Sequence, residues 1–353
     1  MKILVVVLDN LGDVVLASSV FAPLRRAYPT ATFGVFVKAY AHGLFNVEGL
    51  RIHAADPFWD RAPGRPKGQL LPFLRAIAEI RAARYDVAYV LNADWRRSLV
   101  CQLAGIPVRI GHAQRKSRPF LTEIRPHPKP GSHVSALHAS LLPRWLTIDV
   151  QPFPELGLLA AQAAAAGEWR SSLAWHAAPI VVFHPITGDT LKNWPLTHWA
   201  TLGQPLASAR SDLRFVILHT EGERPRLAGS FFPTERFPSS IFQFVAGDIS
   251  SMKSILSTAS LVIAGDSGPG HVAAALGRPL LSLFGPSDAR RYKALGPDVQ
   301  IVSGDPLTAV RPDDVCAAAL AMLTPSARPR EAFAGVHVAR PGRQPCRRRP
   351  KHE

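Results

Sequence analysis

The sequence has few cysteines and lacks any long apolar segment. Its 353 residues contain three cysteines, Cys101, Cys316 and Cys346, and none of them has the CxxC spacing of a zinc or redox motif. Their positions indicate neither a disulfide framework nor a zinc site, and they fit a reducing compartment. No apolar run approaches the roughly 18 residues that a membrane-spanning helix needs.

Neither a signal peptide nor a dinucleotide fingerprint is indicated. The opening run, MKILVVVLDNLGD, is short and soon reaches an acid at Asp9. We therefore predict a first strand there and not a signal peptide, and we expect a cytoplasmic protein. No GxGxxG follows the first strand of either half of the chain, which disfavours dinucleotide binding.

The charge is strongly basic and unevenly spread. Lys and Arg number 41 against 26 Asp and Glu, which gives a net charge of +15. Residues 1–150 carry 20 basic and 10 acidic side chains, whereas residues 151–323 are nearly neutral. A basic first half suits an acidic partner, such as nucleic acid, anionic lipid or a phosphorylated saccharide, although a solvated basic surface is equally compatible. Nucleic acid is disfavoured, because no helix-turn-helix, zinc or RNP pattern is present.

Short apolar strands alternate with helical segments, which predicts an α/β protein with parallel sheets. The run Lys2–Leu8 is apolar throughout, as expected for a strand covered on both faces. We predict two Rossmann-like domains, residues 1–155 and 156–323, and a basic, disordered tail over residues 324–353.

Two segments of the first domain are predicted to be loops. Residues 53–68 are rich in Pro, Asp and Arg, and residues 111–132 are basic and proline-rich. We expect the second of these loops to be mobile and to face the cleft between the domains.

Residues 261–288, LVIAGDSGPGHVAAALGRPLLSLFGPSD, form the clearest unit, a strand, a polar turn, a helix and a second strand. Ligands of open α/β sheets bind at the carboxyl ends of such strands. The free amides of a helix N-terminus suit phosphate. Asp266 would repel phosphate, so capping the helix or orienting the loop suits it better.

Two further polar turns of the second domain complement this one. Thr187–Lys192 offers hydroxyls and an ammonium group, and Glu221 offers a carboxylate. Together with Ser267–His271 they match the needs of a nucleotide diphosphate, which are cations and amides for phosphate and a carboxylate for ribose. Asp13, which follows Gly12 after the first strand, is expected to face them and to accept a proton from an attacking hydroxyl. Alternatively, Asp13 only caps its helix.

Three segments in register carry a resemblance to a known family: LDNLGDVVLASSVFAPLRRAYP, HPITGDTLKNWPLTHWATL and AGDSGPGHVAAALGRPLLSLFGPSD. Over residues 1–323 the chain resembles the ADP-heptose:lipopolysaccharide heptosyltransferases, glycosyltransferase family nine. The resemblance implies a GT-B fold, in which two Rossmann-like domains with parallel sheets face a central cleft. It also implies inverting transfer of a heptose from ADP-heptose to a saccharide of the lipopolysaccharide core. Such an enzyme would work in the cytoplasm, at the inner face of the inner membrane.

When the motifs of this sequence are matched to those of the family, the resemblance implies two catalytic groups. Asp13 of the GD motif is the expected general base, and Lys192 of the K-x-W-P segment neutralises the departing diphosphate. Glu221 would bind ribose, with Glu223 as an alternative. The other residues implied to bind the nucleotide sugar are Thr187, Asp266, Ser267, Gly268 and His271.

The acceptor side is less defined. Gly12, Arg96 and Arg97 are predicted to bind an acidic saccharide or a lipid-linked acceptor, with peripheral contact to an anionic membrane and no role for nucleic acid. Arg115, Lys116 and Arg118 could assist, and all of these cations could instead be solvated surface. The resemblance implies no cofactor and no tightly held metal, and Mg²⁺ is possible without being required.

The motifs depart from the family pattern at three positions, Ile186, Asp189 and Gly270. The sequence therefore leaves open another sugar-nucleotide donor or another acceptor. It also leaves open a sugar-nucleotide epimerase of the same fold and a non-catalytic nucleotide-sugar-binding protein.

Overall fold

Two parallel six-stranded sheets form the frame of the molecule. The computed structural model describes residues 1–60, 67–92, 94–114, 116–146, 153–227 and 238–324. The predicted tail after Thr324 and the candidate cation Arg115 lie outside these ranges.

The first sheet has the order β3-β2-β1-β4-β5-β6, and every neighbouring pair is parallel. Its strands are β1 (Lys2–Val7), β2 (Thr32–Val37), β3 (Leu50–Ala54), β4 (Val87–Val90), β5 (Val108–His112) and β6 (Glu123–Arg125). The helices of this half are α1 (Leu11–Ala17), α2 (Phe21–Ala27), α3 (Leu70–Ala83), α4 (Trp95–Leu103) and α5 (Val134–Ala139).

The second sheet repeats that order as β9-β8-β7-β10-β11-β12, again with parallel neighbours. Its strands are β7 (Ile180–His184), β8 (Arg214–His219), β9 (Phe242–Ala246), β10 (Leu261–Gly265), β11 (Leu280–Phe284) and β12 (Val299–Ser303). The helices of this half are α6 (Ala160–Ser172), α7 (Leu196–Ala209), α8 (Arg224–Leu227), α9 (Ile249–Ser257), α10 (Gly268–Ala275), α11 (Ala289–Tyr292) and α12 (Pro312–Leu323). Two Rossmann-like halves with parallel sheets are therefore confirmed.

The central strands form because their β-branched and aliphatic side chains are buried on both faces. In β1 every residue after Lys2 is buried, and in β10 all five residues are buried. Each half has an outer core of its own, and a third apolar cluster joins residues of both halves, among them Val14 and Phe21 on one side and Val262 and Val272 on the other. The two halves thus share an inner core.

The predicted bounds of two peripheral loops differ from the structure. Residues 53–68 were predicted to be a loop; His53 and Ala54 belong instead to β3, whereas residues 55–60 and 67–68 contain no helix or strand. Residues 111–132 were also predicted to be a loop, but they contribute the end of β5 and the short strand β6. Both segments lie at or beside an edge of the sheet, where burial is incomplete and the apolar pattern is weak.

Helix α4 begins earlier than its apolar pattern indicates. It starts at Trp95, after the cap Asp94, whose side chain accepts a hydrogen bond from the Arg96 amide at 2.9 Å. Arg96 and Arg97 therefore lie in the first turn of a helix. Among the residues described, no helix is long and apolar enough to cross a bilayer.

Candidate active site

Most of the predicted site residues lie where the strand order of each sheet reverses. In the first half this point is between β1 and β4, and in the second half it is between β7 and β10. Loops at the carboxyl ends of such strands leave a crevice that binds ligands in open α/β sheets. The first helical turns after β1 and β4 carry Asp13 and Arg96, and the loops after β7 and β10 carry Thr187 and Ser267.

Helices α1 and α10 bring the two crevices together, because glycines let their first turns touch. A Cβ atom on Gly12 would lie 2.9 Å from Cδ2 of His271, and one on Gly268 would lie 2.7 Å from Cβ of Leu11. Neither distance accommodates a side chain. Gly12 and Gly268, predicted as ligand contacts, are thus also the residues that allow the two halves to meet.

Lys192 and Asp266 form the charged centre of the second-half site. The Nζ atom of Lys192 donates to Oδ2 of Asp266 at 2.6 Å, and Nε2 of His271 lies 3.9 Å from Oδ1 of the same carboxylate. Burial acts to raise the pKa of Asp266, but the favourable interactions with His271, Lys192 and Ser287, together with the positive charge of Lys192, outweigh it and lower that pKa to about 2. Asp266 is therefore an anion that holds Lys192 and faces His271.

The loop that carries Lys192 is firmly anchored. Asp189 caps its single 3₁₀ turn by accepting from the Leu191 amide at 3.0 Å. Trp194, which follows, is buried, and its Nε1 donates to the carbonyl of Val310 at 2.9 Å. Because both ends of the segment are fixed, the position of the Lys192 backbone is defined before any ligand binds.

Ser267 begins α10 without capping it, since its side chain makes no cap hydrogen bond. Its hydroxyl lies 3.2 Å from Nδ1 of His184. Burial lowers the pKa of His184 to about 4, so this imidazole is neutral at physiological pH. Sequence reasoning left His184 without a role, and the structure gives it one, which is to orient the Ser267 hydroxyl.

Thr187 and Glu221 occupy the neighbouring strand ends. The Thr187 amide donates to Oδ1 of Asn193 at 2.7 Å, and its hydroxyl donates to the Asp189 carbonyl at 2.7 Å. Glu223 accepts from the Thr220 amide at 2.8 Å, which makes it a cap, whereas Glu221 is exposed. Of the two glutamates, Glu221 is the one with an available carboxylate.

Asp13 is half-buried in the first turn of α1, and its carboxylate accepts no hydrogen bond from the residues described. The cap position belongs to Asn10, so Asp13 does not serve as the helix cap. Burial, together with the charge of Asp9 and to a smaller extent that of Asp266, raises the pKa of Asp13 to about 6, although His271 and Arg97 oppose this. A carboxylate of this kind is basic enough to accept a proton near neutral pH.

Arg97 is not a surface cation. It is buried and forms a two-pronged ion pair with Asp9, and its Nη2 also donates to the carbonyl of Leu8 at 2.7 Å. Asn92 donates to the same Asp9 carboxylate at 2.8 Å. Burial acts to raise the pKa of Asp9, but these hydrogen bonds and the charge of Arg97 lower it. Arg97 therefore positions the turn that leads to Asp13.

Arg96 is the more accessible of the two arginines, with 42% of its side chain exposed. Its guanidinium lies 5.8 Å from the ring centre of Trp59 and 5.5 Å from that of Trp95. The cation is held by these rings and by Asp94, whose Oδ2 accepts from its Nη1 at 3.2 Å, and its remaining donors are left for an anion. Lys116 and Arg118 are exposed and lie beyond β5.

The structure therefore gathers most of the predicted residues at one junction and adds some that sequence reasoning missed. Glu221 lies one strand farther out, after β8. The missed residues are Asp9, Asn92, His184, Asn193 and Ser287. Their signal was available in part, because all of them except Asn193 lie at or within three residues of the carboxyl end of a strand. Within the part of the chain that is described, no cluster of three His, Cys, Asp or Glu side chains could hold a metal ion.

Comparison with known proteins gives a consistent result. The family model for glycosyltransferase family 9 (heptosyltransferase) matches residues 73–313. Lipopolysaccharide heptosyltransferase 2 of Escherichia coli K12 is 25% identical over 298 residues, which is 81% of this chain and 83% of that protein. Lipopolysaccharide heptosyltransferase 1 of the same strain is 34% identical over 128 residues, 35% of this chain and 38% of that protein.

Solved structures agree on the fold. The ADP-heptose lipopolysaccharide heptosyltransferase II of E. coli matches with a TM-score of 0.73 and 22% identity, over 92% of this chain and 98% of that chain. A family 9 glycosyltransferase from Veillonella parvula matches with a TM-score of 0.74 and 18% identity, over 91% and 97%. The E. coli heptosyltransferase WaaC with ADP matches with a TM-score of 0.72 and 19% identity, over 91% and 100%. These neighbours confirm the predicted GT-B fold.

Proposed function

Because the chain belongs to glycosyltransferase family 9, we propose that it is an inverting glycosyltransferase that moves a heptose from ADP-heptose to a saccharide acceptor of the lipopolysaccharide core. Its relatives carry the name lipopolysaccharide heptosyltransferase, and a neighbouring structure was determined with ADP. The observation that carries the proposal is the meeting of the first turns of α1 and α10, which brings the site residues of the two halves together. There, the basic Asp13 carboxylate adjoins Gly12, which touches His271, and His271 faces the Asp266–Lys192 pair.

The reaction follows from these groups. Asp13 takes the proton of the acceptor hydroxyl, whose oxygen then attacks the anomeric carbon of the heptose. The bond from that carbon to the β-phosphate oxygen breaks, and ADP leaves with the electron pair. Lys192 and the free amides of the first turn of α10 stabilise the charge on the departing diphosphate. A single displacement of this kind inverts the anomeric centre.

The remaining donor contacts complete the proposal. Ser267, oriented by His184, and Thr187 contact the diphosphate, and Glu221 accepts hydrogen bonds from ribose. Asp266 keeps Lys192 in place until the diphosphate competes for it. On the acceptor side, Arg96 binds an anionic group of the saccharide.

Metal ions are not needed in this scheme, since one cation and a helix N-terminus already face the diphosphate. We therefore expect transfer to continue in the presence of EDTA. A strict requirement for Mg²⁺, restored by adding it back, would show that charge neutralisation by Lys192 is insufficient.

The decisive experiment combines nucleotide binding with two substitutions. A panel of ADP, UDP, GDP and CDP should raise the melting temperature of the protein selectively with ADP. Lys192→Ala should weaken ADP binding about tenfold or more, because a charge-assisted contact is lost and Asp266 is left unpaired. Lys116→Ala, an exposed lysine of the first half, is the matched control and should leave ADP binding unchanged.

Asp13→Ala tests the base. Transfer should be abolished while ADP still stabilises the protein, because the carboxylate acts on the acceptor and not on the nucleotide. Full transfer by this variant would remove Asp13 as the base. Selective stabilisation by UDP or GDP would change the donor, and product formed from the donor without an acceptor would indicate an epimerase.

A further inference from the structure

The outward face of α3 exposes a cluster of large apolar side chains. Leu70, Leu71 and Leu74 are 52%, 60% and 47% exposed, and Phe58, whose ring contacts Phe73 of the same helix, is 43% exposed. Contiguous apolar patches on soluble proteins commonly mark a contact surface. We propose that this set, the leucine face, docks the enzyme on an anionic lipid bilayer.

The sequence of α3 supports two separate apolar faces. Its inner face buries Phe73, Ala76 and Ile80 in the outer core of the first half. Its outer face repeats apolar residues at three- and four-residue spacing, in the series Leu71, Leu74, Ala78 and Ala82, all of them exposed. Because the inner face already packs against the core, the apolar residues of the outer face are available to contact the apolar interior of a bilayer. A helix of this design lies in the plane of a membrane interface.

Charge around the leucine face selects the kind of bilayer. Arg75 and Arg81 on α3 and Lys67 just before it are exposed, whereas Glu79 is the one acidic residue of the helix. Long basic side chains can keep their charge among headgroups while their stems cover apolar surface. Clusters of this sign are attracted to anionic lipids.

The leucine face also leads toward the predicted acceptor side. Phe58 and Trp59 contact the inner-face residue Phe73, with ring centres 5.9 Å and 5.0 Å apart. The Arg96 guanidinium lies over Trp59, and Arg97 beside it holds the turn that precedes Asp13. A bilayer under α3 would therefore bring a lipid-linked saccharide to the carboxyl ends of the strands of the first sheet, where Asp13 lies. This inference rests on the proposed function.

A second copy of this chain is a weaker candidate for the occupant. Stable interfaces between proteins bury about 1,200 Å² or more in total, which four half-exposed side chains do not supply. The arginines flanking the leucine face would also approach like charges in a symmetric pair.

The test is sedimentation of the purified full chain with lipid vesicles, without donor or acceptor. We expect binding to vesicles of phosphatidylcholine with phosphatidylglycerol. The combined variant Leu70→Gln, Leu71→Gln and Leu74→Gln should reduce partitioning at least about tenfold, because the apolar contact is removed. Leu159→Gln, which changes a leucine that is 50% exposed at the start of the other half, is the matched control and should bind like the unchanged protein.

A charge variant separates the two contributions. Arg75→Gln with Arg81→Gln should lose the preference for anionic over pure phosphatidylcholine vesicles and keep the weaker binding to both. Unaltered partitioning of the triple leucine variant would overturn the proposal, as would failure of the unchanged protein to bind either vesicle. Light scattering that showed a dimer, converted to a monomer by the leucine substitutions, would assign the face to a second copy instead. Stabilisation of the triple variant by ADP, measured in parallel, reports separately on the nucleotide site and hence on the proposed function.

Discussion

Asp13, the proposed base, is the residue at which we expect activity and stability to be most clearly opposed. Burial raises the pKa of its carboxyl most, and the nearby charges of Asp9 and Asp266 raise it further. The folded protein therefore holds a proton on this carboxyl up to about pH 6, whereas the unfolded chain releases it near pH 3.8. Above pH 6 the folded state contains a charge that it does not favour, and the free energy of unfolding is reduced accordingly.

Replacing Asp13 with Asn should stabilise the fold at neutral pH while it abolishes transfer. A pKa raised from 3.8 to about 6 corresponds to roughly 3 kcal/mol at pH 7.5, and the gain should fall to roughly 1 kcal/mol at pH 4.5, where the carboxyl is largely protonated in the folded state. Denaturant unfolding of both proteins at the two pH values measures this. An equal or lower stability of the variant at pH 7.5 would contradict a raised pKa.

The same carboxylate should set the acid limb of the pH profile. If Asp13 is the base, kcat/KM should fall about tenfold per pH unit below pH 6, because only the deprotonated form accepts the acceptor proton. Circular dichroism over the same range controls for unfolding. A flat profile between pH 5 and pH 8 in folded protein would count against this role.

The sequence predicted which residues belong to the site where a motif marks them. It did not predict residues whose position depends on an ion pair with a distant part of the chain. Asp13, Lys192 and the Ser267 loop follow from turns after apolar strands. Arg97 has the same sequence environment as Arg96, yet one is buried against Asp9 and the other is 42% exposed. Which of two adjacent arginines turns inward depends on a carboxylate 88 positions away, and local pattern carries no such information.

At the scale of the elements, the contact between α1 and α10 depends on two missing side chains. Gly268→Ala places a Cβ atom 2.7 Å from Cβ of Leu11, and this contact cannot be relieved by a side-chain rotation. The helices must separate, so we expect a loss of about 1–3 kcal/mol in unfolding free energy together with reduced transfer. Thermal unfolding and the transfer assay provide the measurements.

Gly167→Ala is the matched control for that variant. Gly167 lies in α6 with no atom within 4 Å of an added Cβ, and it is exposed. The substitution should gain roughly 0.5–1 kcal/mol, because alanine favours the helix. If both variants behaved alike, close approach would not explain Gly268.

The four edge strands, β3, β6, β9 and β12, are not indicated by continuous apolar runs in the sequence. The sequence predicts the central strands clearly, because strands that are buried on both faces are continuous apolar runs. Edge strands are shorter or half-exposed, as β6 with three residues and β12 with no buried residue illustrate. Parallel order and the crevice therefore follow from the central strands alone, whereas the full width of each sheet does not.

At the scale of the whole molecule, the inner core ties the two halves into one unit. Residues of both halves form a single apolar cluster, and buried Lys253 of α9 donates to the carbonyl of Leu44 in the first half at 2.6 Å. We therefore expect calorimetry to show one cooperative transition that ADP shifts as a whole. Two resolved transitions, of which ADP raises the melting temperature of only one, would show that the halves unfold independently. The predicted domain boundary at residue 155 stays a prediction.

The shared inner core also has an evolutionary consequence. The proposed donor groups follow β7, β8 and β10, and the proposed acceptor groups follow β1 and β4, so the outer parts of these connecting segments can diverge without disturbing the strands beneath them. Exchange of a complete half is a different matter, because a foreign half would bring mismatched side chains to the inner core and to the glycine contact of α1 with α10. New acceptor specificities should therefore arise in this scaffold by loop replacement, and chimeras of whole halves should require compensating changes along the junction.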